Sequence, residues 1–263
     1  MELVDARVAR MRQQRLLRRG DRGQDPLSAA VAPRHWESLG GLALPPGPVL
    51  DVGCGAGPPP PQAPGPVLRL DWLAGFAAPP DVLGDAARLP CRDGAFSLVL
   101  ATNVLPWLGD PRPFFGEARR VLRDGGALSC TSLGPDTLAE LRALGPFAGP
   151  KTMGFFDMHD LADMAQAAGL AEPVASCERL RFAYSSHGAM LRDLSGFGVL
   201  AAAGMDRSLG TPRRLAALLR RPEPVELTFE VVYLHAWAMP ARPARGPAHW
   251  QEITLDRGRP PAR

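Results

Sequence analysis

From Pro48 onward the chain alternates short apolar runs with turns rich in glycine or acid: PVLDVGCGAG, PVLRLDW, AFSLVLATNVL and GALSCTSLG. Each run is continuously apolar rather than alternating. That pattern belongs to parallel strands buried on both faces, with helices covering both sides of the sheet. Between the last two runs, DPRPFFGEARRVLRDGG sets Phe114, Phe115, Ala118, Val121 and Leu122 at helical spacing, and Gly125-Gly126 is its expected stop. Strand and helix take turns, so the predicted class is α/β with a mostly parallel sheet.

Beyond Pro150 the texture becomes more helical. In DMHDLADMAQAAGL, residues Met158, Leu161, Met164, Ala165 and Ala168 share one face, read as core, and Gly169 is the expected C-cap. In LTFEVVYLHAWAM, Thr228, Glu230, Val232 and Leu234 alternate with Phe229, Val231, Tyr233 and His235, which predicts a late strand over 227–237. The chain therefore divides into a basic, helical N-terminal segment (1–47), a strand-rich core (48–150), a helical insertion near 151–225 followed by closing strand structure to 238, and a proline-rich tail (239–263). The tail has no sustained period and is expected to be disordered.

Composition narrows the class. The 263 residues, 46% hydrophobic and 22% charged, suffice for a sizeable core, and the 28 glycines and 29 prolines require long loops. No apolar run approaches the roughly 20 residues that cross a bilayer, and the N-terminus lacks the apolar stretch of a secretion signal, so the expected compartment is the cytoplasm and no membrane partner is expected. All but one of the 30 basic residues are arginine, Lys151 being the exception, in a chain of net charge +3. No nucleic-acid partner is expected, and the chain is read as a monomer. Cys54, Cys91, Cys130 and Cys177 form no C-x-x-C pair, so neither a disulfide framework nor a zinc ribbon is indicated and no metal is expected.

The chemistry concentrates after the first strand. Asp51 precedes Gly53, Cys54, Gly55, Ala56 and Gly57, a G-x-G-x-G loop in which the backbone turns tightly and approaches a ligand closely. The second strand ends in Asp71, whose two acceptor oxygens suit a vicinal diol such as ribose. Further on, GDAARLP offers Asp85 and Ala86, and the third apolar run ends in Asn103, with Trp107 four residues later. No Ser/His/Asp or Cys/His arrangement is evident, and His159 and His235 lack metal-like spacing and are read as structural.

The DVGCGAG loop with its leading acid resembles motif I of the class I S-adenosylmethionine-dependent methyltransferases, a Rossmann-like fold. The segments SLGPDTLAELR (132–142), FFDMHDLADMAQAAGLAEPV (155–174), RLRFAYSSHGAMLRDLSGFG (179–198) and LTFEVVYLHAW (227–237) are more specific. Together they look like the malonyl-acyl-carrier-protein O-methyltransferase family, over roughly residues 48–238. The resemblance implies S-adenosylmethionine held by Asp51, Gly53, Cys54, Gly55, Gly57, Asp71, Asp85, Ala86 and Asn103, with Trp107 walling the methyl pocket. It implies malonyl-acyl carrier protein as partner, its free carboxylate being esterified to start pimeloyl formation for biotin. Such a displacement needs alignment and exclusion of water rather than an obligate base, so no catalytic residue is assigned. The arginines between 207 and 221, among them Arg207, Arg213, Arg214, Arg220 and Arg221, suit either an acidic carrier protein or solvent.

Two departures leave alternatives open. After Gly57 the chain reads PPPPQAPGP, which cannot form a normal helix, and the span from Asp71 to Asp85 has room for a turn or two of helix at most. The first missing helix would have offered its N-terminal amides to the methionine carboxylate. The N-terminal segment also lacks the tyrosine-bearing lid of the family. An active carboxyl methyltransferase and a degenerate methyltransferase fold kept as a binding or assembly module both remain, with a protein arginine hydroxylase as a third reading.

Overall fold

The computed structural model describes residues 26–61, 63–74, 76, 78–142, 155–196 and 219–240. In chain order these form helix α1 (Pro26–Leu39), strands β1 (Val49–Val52), β2 (Val67–Asp71), β3 (Val82–Leu83) and β4 (Phe96–Ala101), and a 3-10 turn (Leu105–Trp107). Helix α2 (Arg112–Val121), strand β5 (Leu122–Leu133) and the short helix α3 (Ala139–Arg142) follow. Helix α4 (Met158–Ala167), strand β6 (Ala171–Tyr184), helix α5 (His187–Gly196) and strand β7 (Val225–Trp237) complete it. None of the described helices is long and apolar enough to cross a membrane.

One seven-stranded sheet runs β3-β2-β1-β4-β5-β7-β6. The pairs from β3 to β5 are parallel, while β7 is antiparallel to both β5 and β6. Burial on both faces, expected from the continuous apolar runs, holds along β1 and β4, every residue of which is buried, and β7, read as alternating, is buried on both faces as well. Val232, Leu234 and Ala236 join the core under α2 and α4, whereas Leu227, Phe229, Val231 and Tyr233 join a second core with residues of α1 and α5. Met158, Leu161, Met164, Ala165 and Ala168 all pack into the first core, as their spacing predicts. Asp157 caps α4 by accepting from the His159 and Asp160 amides, and Gly169, at φ 86°, follows the last turn in the left-handed region.

Two expectations are corrected. Helix α2 stops at Val121 rather than at Gly125-Gly126, and those glycines lie inside β5, where its register to β4 shifts between Phe96 and Leu98. Two steps along β4 there face five along β5, so the shift takes up three extra residues, and Gly125 supplies the positive φ (79°). Second, the stretch expected as a helical insertion contains a 14-residue edge strand, β6. There Leu180, Phe182 and Tyr184 turn toward the second core while Arg179, Arg181 and Ala183 are exposed, a period of two that tertiary pairing with β7 selects. No helix forms between Gly57 and β2, or between Asp71 and Asp85, among the described residues. The first 25 residues, Arg207, Arg213, Arg214 and all of the tail beyond Pro240 lie outside the described residues; Arg220 and Arg221 are exposed.

Candidate functional site

The sheet order changes direction at β1, which has β2 on one side and β4 on the other. In open α/β sheets the crevice beyond the strand ends at such a switch point is where ligands lie. Asp51, near the end of β1, and Asp71, the last residue of β2, reach this edge together with the turn after β3 and the residues after β4.

The glycine loop is tied into that edge by its own backbone. Gly53 and Cys54 both donate their amides to the Leu70 carbonyl, at 2.7 and 3.2 Å, and Gly55 donates to Asp71 Oδ2 at 3.0 Å. Gly53 and Gly55 lie at φ 67° and 54°, and a Cβ at Gly53 would run into the Val104 side chain just past β4. Loop, β2 and β4 are thus mutually fitted. Asp71 Oδ1 takes the Leu73 amide at 2.9 Å, and Gly84 donates to the Asp71 carbonyl, which brings the turn bearing Asp85 and Ala86 alongside. Asp85 holds that turn by accepting the Ala87 amide at 2.9 Å, and Ala86 is buried.

Asn103 sits in the left-handed region at φ 56°, where asparagine is well tolerated. Thr131 of β5 fixes it twice: its Oγ1 accepts the Asn103 amide at 2.8 Å and donates to Asn103 Oδ1 at 3.1 Å. Trp107 is half-buried against the second core rather than confined to the strand edge.

Electrostatics follow from burial. Asp51 is 7% exposed, and desolvation pushes its carboxyl up to about 7, with the Arg69 guanidinium opposing and Asp71 reinforcing the shift. Asp71 is also raised by burial, against the pull of its backbone hydrogen bonds. Cys54 is pushed up to about 12 by burial and the neighbouring carboxylates, so its thiol is neutral at physiological pH.

Three groups escaped the sequence reading. Arg69, opposite Asp51 in the β1–β2 register, donates from Nη2 to the carbonyls of Gly57 at 2.5 Å and Gly55 at 3.3 Å. His35 of α1 is fully buried, with Nδ1 2.9 Å from Thr102 Oγ1 and Nε2 2.7 Å from Ser129 Oγ, bracing the end of β4 beside Asn103. The spacing Leu27, Val31, His35, Leu39 placed it on the buried face of its helix and was the available signal. Glu230 accepts the Asp136 amide at 2.8 Å, and the Leu138 amide reaches the Thr228 carbonyl at 2.7 Å. The SLGPDTL and LTFEVVY segments therefore bond directly to each other. His159 is exposed on the first turn of α4, and His235 lies in β7 with a buried, unpartnered Nδ1.

Residues 50–130 match the family model described as a methyltransferase domain. A malonyl-[acyl-carrier protein] O-methyltransferase of Methylovorus sp. is 33% identical over 249 residues, covering 83% of this chain and 84% of that protein. One of the same name from Laribacter hongkongensis is 40% identical over 179 residues, covering 64% of this chain and 60% of that protein. The chain thus spans less than two thirds of the Laribacter protein's length. Among solved structures, the YcgJ protein of a Bacillus species superimposes with a TM-score of 0.53 at 14% identity, covering 79% of this chain and 99% of that one. A Bacillus halodurans protein gives 0.51 at 17% identity, covering 78% and 97%. These superpositions carry the fold, that of the class I methyltransferases.

Proposed function

We propose a carboxyl methyl transfer as the reaction of this chain, which belongs to the malonyl-[acyl-carrier protein] O-methyltransferase family. The acceptor in this reading is the free malonyl carboxylate carried on acyl carrier protein, the enzyme being a cytoplasmic monomer. The observation that carries it is the closure of the glycine loop, Asp71 and the end of β4 on one another at the sheet's switch point.

The residues fit S-adenosylmethionine. The positive-φ glycines keep the loop free of side chains, and the Asp71 carboxylate, which accepts the Gly55, Leu73 and Trp72 amides, still has acceptor capacity for a ribose hydroxyl. Asp51, Gly53, Cys54, Gly55, Gly57, Asp85, Ala86 and Asn103 complete the proposed cradle, with Trp107 toward the methyl pocket. When bound, the cofactor supplies a methyl group on a sulfonium. The acceptor carboxylate would take that methyl group, with the thioether as leaving group and no proton to move. The chain's work is alignment and exclusion of water, which suits a site with no positioned general base among the described residues.

Titration calorimetry with S-adenosylhomocysteine tests the cofactor site without presuming an acceptor. Micromolar binding that Asp71→Ala abolishes, followed by methyl-ester formation on malonyl-acyl carrier protein seen by intact mass, is the expected result. A folded wild-type protein that binds no product at millimolar concentration would instead be a binding module built on this fold, a reading that the helix-less proline stretch favours.

A further inference from the structure

In this fold the amino-acid end of the cofactor depends on a helix N-terminus after the glycine loop, and here that source of positive potential is absent. Residues 58–61 are four consecutive prolines without an N–H among them, and no helix forms before β2 among the described residues. We propose that Arg69 takes over this task, its guanidinium binding the carboxylate of the cofactor's amino-acid end; the inference rests on the cofactor reading above.

Arg69 leaves β2 between Leu68 and Leu70 and reaches back across the loop, with Nη2 on the Gly57 and Gly55 carbonyls. Those bonds use one of its three nitrogens. Its Nε is buried without a hydrogen-bond partner among the described residues. Nor does any described carboxylate come within ion-pair distance of it. Its hydrogen-bond partners are neutral carbonyls and Asp51 and Asp71 act on it only through space, whereas a ligand carboxylate would bond it directly through charge-assisted bonds, with arginine's planar fork as the matching donor. The same charge acts through space on Asp51 and Asp71 against the effect of their burial, as expected of a cation centred on the loop. Arg69 would thus both lace the proline-broken loop and present its remaining donors to the ligand.

The test compares two ligands, S-adenosylhomocysteine and 5′-methylthioadenosine, which share the nucleoside thioether while the second lacks the amino-acid end. Calorimetry is run on the full chain and on Arg69→Gln and Arg69→Met, whichever neutral variant melts cooperatively being used, with Arg69→Lys as the charge-preserving control. The expected result is a loss of S-adenosylhomocysteine affinity of about 10- to 100-fold, the range for one charge-assisted contact, with methylthioadenosine within about twofold of wild type and partial recovery in Arg69→Lys. Equal weakening of both ligands would reduce Arg69 to a loop brace and overturn the proposal, as would no weakening of either. Wild-type protein that binds neither ligand would overturn the cofactor reading itself and the inference with it.

Discussion

At one end of the sheet, strands β1 to β3 are short and end in loops that form no helix among the described residues; at the other, β5, β7 and β6 pair over long antiparallel ladders. The short end is held by side chains reaching backbone: Asp71 on the Gly55 and Leu73 amides, Arg69 on the Gly55 and Gly57 carbonyls, and Asp81 on the Arg69 amide. The long end is held by apolar packing, with Phe229 fully buried and its ring edge-on to Phe182 at 5.3 Å. Polar latches keep the first edge open to a ligand, since each charged group that fastens the loop retains hydrogen-bonding capacity. The Phe229–Phe182 packing offers no such capacity, and the polar groups at this end, Glu230 on the Asp136 amide and Glu140 on Thr228, are spent on the fold itself.

The largest effect separating the two ends is expected from Phe229→Ala. The loss of a fully buried ring costs about 3–5 kcal/mol in urea unfolding. Product affinity of the folded protein stays unchanged, because the site lies at the other end of the sheet. A comparable loss of affinity would show the two ends to be one cooperative device.

Gly53→Ala reverses the pattern. A side chain at positive φ costs about 1–2 kcal/mol before any contact with Val104, and product binding is expected to be lost. The double variant Gly53→Ala, Val104→Ala isolates the contact as a non-additive recovery in a mutant cycle; strict additivity would mean that only backbone strain matters.

Smaller and opposite effects come from two buried titratable groups. His35 is held neutral, its pKa pushed down from the ordinary 6.5 to about 3, chiefly by burial. Between those values the unfolded chain binds a proton that the fold excludes, so stability falls as pH drops through the window, and His35→Gln flattens that acid limb. Asp51 is raised from 3.8 to about 7, so the folded chain keeps a proton that the unfolded chain releases. Stability is then lost as pH rises from 3.8 toward 7, and Asp51→Asn gains on wild type over that range. Urea denaturation across a pH series checks both; curves parallel to wild type at every pH would contradict the assigned burial. The smallest effect is Leu83→Lys on the outer strand β3, where the side chain is 58% exposed, with a change within about 0.5 kcal/mol. A larger loss would mean that this edge is covered.

Local pattern was enough for the strands that lead into the site. The apolar runs leading to Asp51 and Asn103 call for burial on both faces whatever their neighbours are, and the glycines after Asp51 are readable as turns; the run to Asp71 is broken by Arg69, and its strand is only partly buried over Val67–Arg69. The proline stretch was equally legible, because missing N–H groups are a property of the residues themselves. Strand β6 was not, since Ala171–Tyr184 becomes a strand through its ladder with β7, a partner more than 40 residues away. The placement of Arg69 over the glycine loop and of His35 against Thr102 and Ser129 was likewise invisible.

The sequence by itself thus determined the α/β class, the switch from strand to glycine loop at Asp51–Gly57 and the loss of the helix after it, all consequences of short-range sterics and of side-chain period. Tertiary structure alone decided which polar groups meet. Register set Arg69 opposite Asp51, the glycine loop and the turn after β2 each brought an amide to Asp71, and the packing of α1 drove His35 to the end of β4. Hydrogen bonds and charge interactions act over a few ångströms, and only the folded chain brings residues so distant in sequence within that range.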